Sequence, residues 1–160
     1  MSEVDYPACL RDLLDSEIFG EGVSLALLKV AKNDRERYHF ATLLQLETET
    51  KARLRPLLYR HGIDLDEVVP ASDIAEAVQG YQALDWEEFC AANIPVVQDF
   101  LERFRAIAEA GPEKDRTMLE SMVRHESAIL RWFTMESRGE RNGSLDAVIA
   151  ELAYPLPASH

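Results

Sequence analysis

The chain has 160 residues, 47% of them apolar, which suits a single domain, residues 1–160, with a sizeable core. A formal net charge of −12 argues against nucleic acid and anionic membrane surfaces as partners. No stretch approaches the apolar length that spans a bilayer, and the opening Met1-Ser2-Glu3-Val4-Asp5 is acidic without an apolar signal core, so a cytoplasmic location is expected.

Apolar periodicity predicts helices along the whole chain, an all-α fold with no strand-like alternation. The first helix is expected over 7–32, opening at Asp5-Tyr6-Pro7, where proline is tolerated in the first turn. Its seam is Leu10, Leu14, Glu17, Glu21, Leu25, Leu28. Asn33-Asp34 supplies a break and a cap, so the second helix, 34–60, folds straight back and stops at His61-Gly62. The second seam reads Phe40, Leu43, Glu47, Thr50, Leu54, Leu57, at spacings 3, 4, 3, 4, 3. Pro56 is expected to bend or loosen the last turns. Lys51, Arg53, Arg55 and Arg60 read as a solvated face of the same helix.

Residues 62–84 are punctuated by Gly62, Pro70 and Gly80, with a short capped helix expected over 72–78. A connection this long is a crossover rather than a hairpin. Asp85-Trp86-Glu87-Glu88 matches a capping box that starts the third helix, 85–109, along Phe89, Asn93, Val96, Phe100, Phe104 and Ile107. Pro95 is expected to kink it. Gly111-Pro112 ends it, and the fourth helix, 113–138, carries the seam Leu119, Met122, Glu126, Ile129, Phe133. A short helix over 144–152 precedes a tail containing Pro155 and Pro157.

Most single residues have plain readings. Trp86, Trp132 and Phe133 are expected to pack core or a dimer face, and Met118, Met122 and Met135 to fill core gaps. His39 is expected at a helix surface or interface, and His61 as a charge favourable to a helix C-terminus. Cys9 and Cys90 fit no metal motif or redox pair and are expected to be reduced, half-buried thiols. No phosphate-binding glycine loop and no Ser/His/Asp or Cys/His nucleophile pattern occurs, so no catalytic residue is assigned.

Glu17, Glu47 and Glu126 each occupy a seam position where an apolar residue belongs. A bare carboxylate inside a bundle is costly, so it is protonated, paired or bound to a cation. Three of them, on three helices, are how a carboxylate metal site is built. The competing reading pairs them with Arg53, Arg103, Arg124 or Arg131.

The segment Leu14-Leu-Asp-Ser-Glu17-Ile-Phe-Gly-Glu21 resembles the first ligand helix of ferritin-like and rubrerythrin-like proteins, where a small residue, here Gly20, follows the glutamate one turn later. Leu43-Leu-Gln-Leu-Glu47-Thr-Glu-Thr50 is similar to their second helix, and His125-Glu126 to their fourth. The resemblance implies a four-helix bundle with one long crossover between helices two and three and a short C-terminal helix. It also implies a carboxylate on helices one and three and a Glu-x-x-His pair on helices two and four. Here Glu17, Glu47 and Glu126 match. The expected histidine positions hold Thr50 and Ile129, and the third-helix position holds Asn93 or Val96. His125 lies about 100° from Glu126 around the helix and is a reserve ligand, as is Glu21. Thr50 and Asn93 are candidates to support the ligands.

Two functions follow as expectations. One is a ferritin-like protein with a divergent carboxylate site for a divalent metal, iron or manganese, acting as an oxidoreductase or a metal-binding protein. The other is a metal-free bundle with a relic polar core and no cofactor, serving as a binding or interaction module for a small apolar ligand or a partner. The aromatic content of the helices also allows a homodimer.

Overall fold

The computed structural model describes residues 5–158, and among them the chain is helical with no strand. Residues 1–4, and with them most of the acidic start, lie outside the described residues.

Helix α1 spans Tyr6–Lys29, with the Asp5 carboxylate accepting from the Ala8 N–H and Pro7 in the first turn. It stops short of the expected residue 32 because Lys32 is claimed by the crossover. The Lys32 N–H donates to the Tyr81 hydroxyl at 2.8 Å, and its Nζ donates to the carbonyls of Tyr81 and Leu84, each at 2.9 Å. Helix α2 spans Asp34–Arg60, capped by Asn33, and ends where Gly62 takes φ +67°, a left-handed turn that suits glycine.

Helix α3, Ala71–Ala83, is longer than the segment expected in the crossover. Tyr81 extends it. Its ring is buried edge-on against Phe40 at 5.2 Å, and its hydroxyl donates to buried Glu36. Helix α4, Trp86–Ala110, opens on the capping box, with Asp85 and Glu88 each bonding the other's backbone N–H. Both α2 and α4 run unbroken through Pro56 and Pro95. Pro56 and Pro95 are both exposed, as are Ala52 and Ala91 one turn back, so water can satisfy the carbonyls they free.

A 3₁₀ turn, Glu113–Asp115, precedes α5, Arg116–Ser137, where a helix from 113 was expected. Buried Asp115 accounts for the difference. Its carboxylate accepts from the Tyr6 hydroxyl at 2.8 Å, from His61 Nε2 at 2.7 Å and from Arg60, and it does not cap the helix. The last helix, α6, covers only Asp146–Ala150, because the Ser144 hydroxyl turns to Glu136 at 2.5 Å.

Helix α1 packs along α2 and α4 along α5, and the two pairs meet through α2–α5 and α1–α4 contacts while α3 lies on α1. The core forms two apolar clusters. One is built on Leu27, Phe40, Trp86, Phe89, Trp132 and Phe133, and the other on Leu10, Leu14, Leu58, Phe104, Leu119 and Met122. Truncating any of the fully buried leucines to alanine should cost roughly 2–5 kcal/mol. Residues 17, 47, 50, 125 and 126 belong to neither cluster and form a polar layer between them.

Several surface expectations are corrected. Lys51 is buried rather than solvated, its Nζ held by Glu21 at 2.8 Å and by Glu67. His39 is buried, its Nδ1 accepting from Trp132 Nε1 at 2.9 Å, because α6 and Trp86 cover that side of α2. Cys90 is fully buried, and burial pushes its thiol pKa up. No helix among the described residues is long and apolar enough to cross a membrane.

Candidate metal centre

Glu17 comes from α1, Glu47 and Thr50 from α2, and His125 with Glu126 from α5. Glu47 and Thr50 share a face because they stand three residues apart on one helix. Helices α1 and α2 approach closely here. A Cβ at Gly20 would lie 2.5 Å from Glu47 Cδ and 2.6 Å from each of its carboxylate oxygens, so only glycine leaves room for the Glu47 carboxylate.

His125 stands at the centre of the polar layer. Its Nε2 lies 3.4 Å from Glu47 Oε2, 3.7 Å from Glu126 Oε2 and 3.8 Å from Glu17 Oε2. One ligand atom each from Glu17, Glu47 and His125 fall within 4.8 Å of one another, and all three residues are buried. His125 Nδ1 is 2.8 Å from the Thr50 hydroxyl, which also accepts from Arg53 Nη2 at 3.1 Å. A hydroxyl oxygen can accept twice, so Thr50 can take the Nδ1–H as well and leave the Nε2 lone pair facing the carboxylates.

The arrangement is electrostatically unfinished. Glu17 Oε2 and His125 Nε2 are buried without a hydrogen-bond partner. Each such atom ordinarily costs about 1–3 kcal/mol. Burial, the Glu47 carboxylate and Glu126 hold the Glu17 carboxyl well above the usual carboxylate range. Glu126 is pushed up to about 8, chiefly by burial and then by Glu47, against the pull of His125. For His125, burial lowers the pKa, but Glu47 and Glu126 outweigh it and the net direction is upward.

None of the arginines reserved as partners pairs with the three glutamates. Arg53 bonds Thr50, Arg103 bonds both oxygens of Asp12 at 2.8 and 3.0 Å, and Arg124 pairs with Glu151 at 3.5 Å. Arg131 is exposed. Among the described residues, the only cationic side chain at ion-pair distance from Glu17, Glu47 or Glu126 is His125.

The structure thus brings together Glu17, Glu47, His125 and Glu126, with Thr50 behind the histidine. Glu21 does not join them, because its carboxylate accepts from Lys51 Nζ and Thr48 Oγ1, each at 2.8 Å. Asn93 donates to the Phe89 carbonyl at 2.9 Å and lines a cavity beside the carboxylates. That cavity, about 110 Å³, lies between α1, α2, α4 and α5 and is walled mainly by apolar side chains such as Phe40, Val97, Phe100 and Ile129.

The central position of His125 has a sequence signal. The buried residues of α5 include the doublets Ser121-Met122, His125-Glu126, Ala128-Ile129 and Trp132-Phe133, a stripe wide enough for neighbours to face different helices. The same stripe carries a charge that sequence reasoning missed. Glu136 is fully buried and accepts at 2.5 Å from each of Arg35, Trp86 Nε1 and Ser144. Burial raises its pKa, but these bonds outweigh burial and hold it below the usual range, so it is a satisfied structural charge.

No family model, curated protein or solved structure matches the chain.

Proposed function

We propose that the protein binds a divalent metal ion through Glu17, Glu47 and His125, with Glu126 beside them, in a divergent ferritin-like bundle. The observation that carries this reading is the pair of buried, unpartnered ligand atoms, Glu17 Oε2 and His125 Nε2, facing each other at 3.8 Å in a layer where, among the described residues, no arginine or lysine lies at ion-pair distance from the three glutamates. Such a layer is costly as it stands, and a cation satisfies both atoms at once. What supports a ferritin-like assignment is the pairing of α1 with α2 and of α4 with α5, joined by a crossover that holds α3, together with the Glu17–Gly20–Glu47 contact.

One imidazole with carboxylates is an oxygen-rich donor set that suits manganese or iron better than softer ions. When bound, the ion supplies Lewis-acid or one-electron redox chemistry. The chain's own residues do the rest. Thr50 fixes the His125 ring, as a partner behind a metal ligand generally does. Gly20 lets the Glu47 carboxylate stand against α1, and the two apolar clusters keep bulk water from the layer. Before an ion binds, burial and the Glu47 carboxylate raise the pKa of Glu126, and a bound cation would offset that cost.

Metal analysis of protein purified without chelator tests the reading. We expect about one equivalent of manganese or iron per chain, lost in Glu47→Gln, which keeps the side-chain volume and removes the charge. A metal-free chain that takes up neither ion on loading overturns it.

A further inference from the structure

The cavity beside the carboxylates is larger than water bound to the polar layer requires, and its walls are of the wrong kind for water. A water needs two to four polar partners, whereas Val23, Leu27, Phe40, Val97, Ile129 and Phe133 offer none. Its carboxylates come from Glu17, Glu47 and Glu126 of the polar layer. Of the other polar lining groups, Ser16 donates to the Asp12 carbonyl at 2.7 Å and Asn93 to the Phe89 carbonyl. Glu17 Oε2 is closed off from the cavity, whereas the Glu47 and Glu126 carboxylates are slightly exposed and accept no hydrogen bond from the described residues.

The cavity also has a way in. Phe19 on α1 and Val96 and Phe100 on α4 line both the cavity and a groove on the outer surface, so they form the boundary between the two. The rings of Phe19 and Phe100 stack at 6.1 Å, and Val96 is 44% exposed. Arg103 braces this edge from outside, its guanidinium 4.7 Å from the centre of the Phe100 ring while it pairs with Asp12. An aromatic pair on two helices can part by side-chain rotation without unfolding either helix.

We propose that this cavity is a binding site for a small uncharged molecule, a compact hydrocarbon skeleton carrying one hydroxyl, entering between Phe19 and Phe100. The size follows from the volume. Engineered apolar cavities of about 150 Å³ admit benzene, so 110 Å³ takes a skeleton of about five carbons. The hydroxyl follows from the open carboxylate acceptors at one end of an otherwise apolar cavity. Its O–H donates to a carboxylate oxygen of Glu126 or Glu47, while the skeleton fills the space against Val97 and Ile129. The orientation rests on the proposed metal centre, because it turns the hydroxyl to the layer where the ion is held. The apolar half rests on the cavity alone.

Cyclopentanol is the probe, followed by the methyl resonances of Val23, Leu27, Val97 and Ile129 in metal-loaded and in chelator-treated protein. We expect saturable shifts confined to these methyls, with a Kd on the order of a millimolar, in both forms. Val97→Phe fills the cavity from α4 and should abolish the shifts. Ser24→Leu fills it from α1 and serves the same purpose if the first variant folds poorly. Absence of saturable shifts in both forms overturns the proposal, as does equal binding by both filled variants. Tighter binding of cyclopentylammonium than of cyclopentanol also overturns it, since the site would then select a cation. Cyclopentanol binding to a chain that takes up no metal leaves the cavity site standing and removes the metal reading. Metal uptake without cyclopentanol binding does the reverse.

Discussion

An alanine at position 20 would set its Cβ 2.5 Å from Glu47 Cδ, where ordinary contact begins at 3.4 Å. The Glu47 carboxylate must therefore move by about 0.9 Å. It cannot swing freely, because the residue is buried and His125 Nε2 already lies 3.4 Å from its Oε2. Overpacking of this kind costs about 1–3 kcal/mol. Against it stands the gain of replacing a mid-helix glycine with alanine, about 1 kcal/mol. Gly80, inside α3, has open space for 4 Å around the point where an alanine methyl would sit, and it isolates that gain. Gly80→Ala should raise the unfolding free energy by up to about 1 kcal/mol, while Gly20→Ala should leave it unchanged or lower it by up to about 2 kcal/mol. Urea unfolding of the two variants beside the parent protein measures the difference directly. If the ion binds as proposed, Gly20→Ala should also weaken it by about 10–100-fold, the usual effect of disturbing the support of a ligand. Equal stabilisation by both alanines, with metal affinity unchanged, would refute the close contact between α1 and Glu47.

Two further outcomes concern the ends of the bundle. His39 is held down at about 4, first by burial and then by Arg35, against the opposing pull of Glu136. The unfolded chain binds its proton near 6.5, so the contribution of His39 is complete above that pH and is lost as the pH falls from 6.5 toward 4. The loss amounts to roughly 2–3 kcal/mol, and His39→Gln, which keeps an acceptor for Trp132, should flatten this part of the pH–stability curve. Identical slopes for the two proteins between pH 7 and 4.5 would count against the buried neutral ring. Asp115→Asn weakens three contacts that tie the start of α1 and the end of α2 to the turn before α5. Because Arg60 is 53% exposed and can return to water, the expected cost is about 1–3 kcal/mol, read from the urea midpoint at constant slope.

The periodicity of the chain carries its helices, and local chemistry carries the starts of three of them. Asp5, Asn33 and the Asp85–Glu88 box cap α1, α2 and α4. Ends set by distant partners were not legible. Lys32 leaves α1 for Tyr81, Asp115 leaves α5 for Tyr6 and His61, and Ser144 leaves α6 for Glu136. In each case a polar side chain or N–H finds a partner on another element, which no local pattern records.

The candidate centre divides in the same way. Glu17, Glu47 and Glu126 stand out in sequence because each interrupts an apolar stripe, and that interruption is a local property of one helix. The choice among their partners is not. Glu21 and Glu17 are one turn apart on α1, yet one meets Lys51 and the other meets His125. His125 and Glu126 are adjacent, and both are buried because α5 packs against α2 and α4 together. Sequence marked Glu17, Glu47 and Glu126 as facing inward, but not buried Glu136. The tertiary structure decided that an imidazole, and no arginine, would face those three, because that depends on how the helices are rotated about their axes when their apolar surfaces are packed.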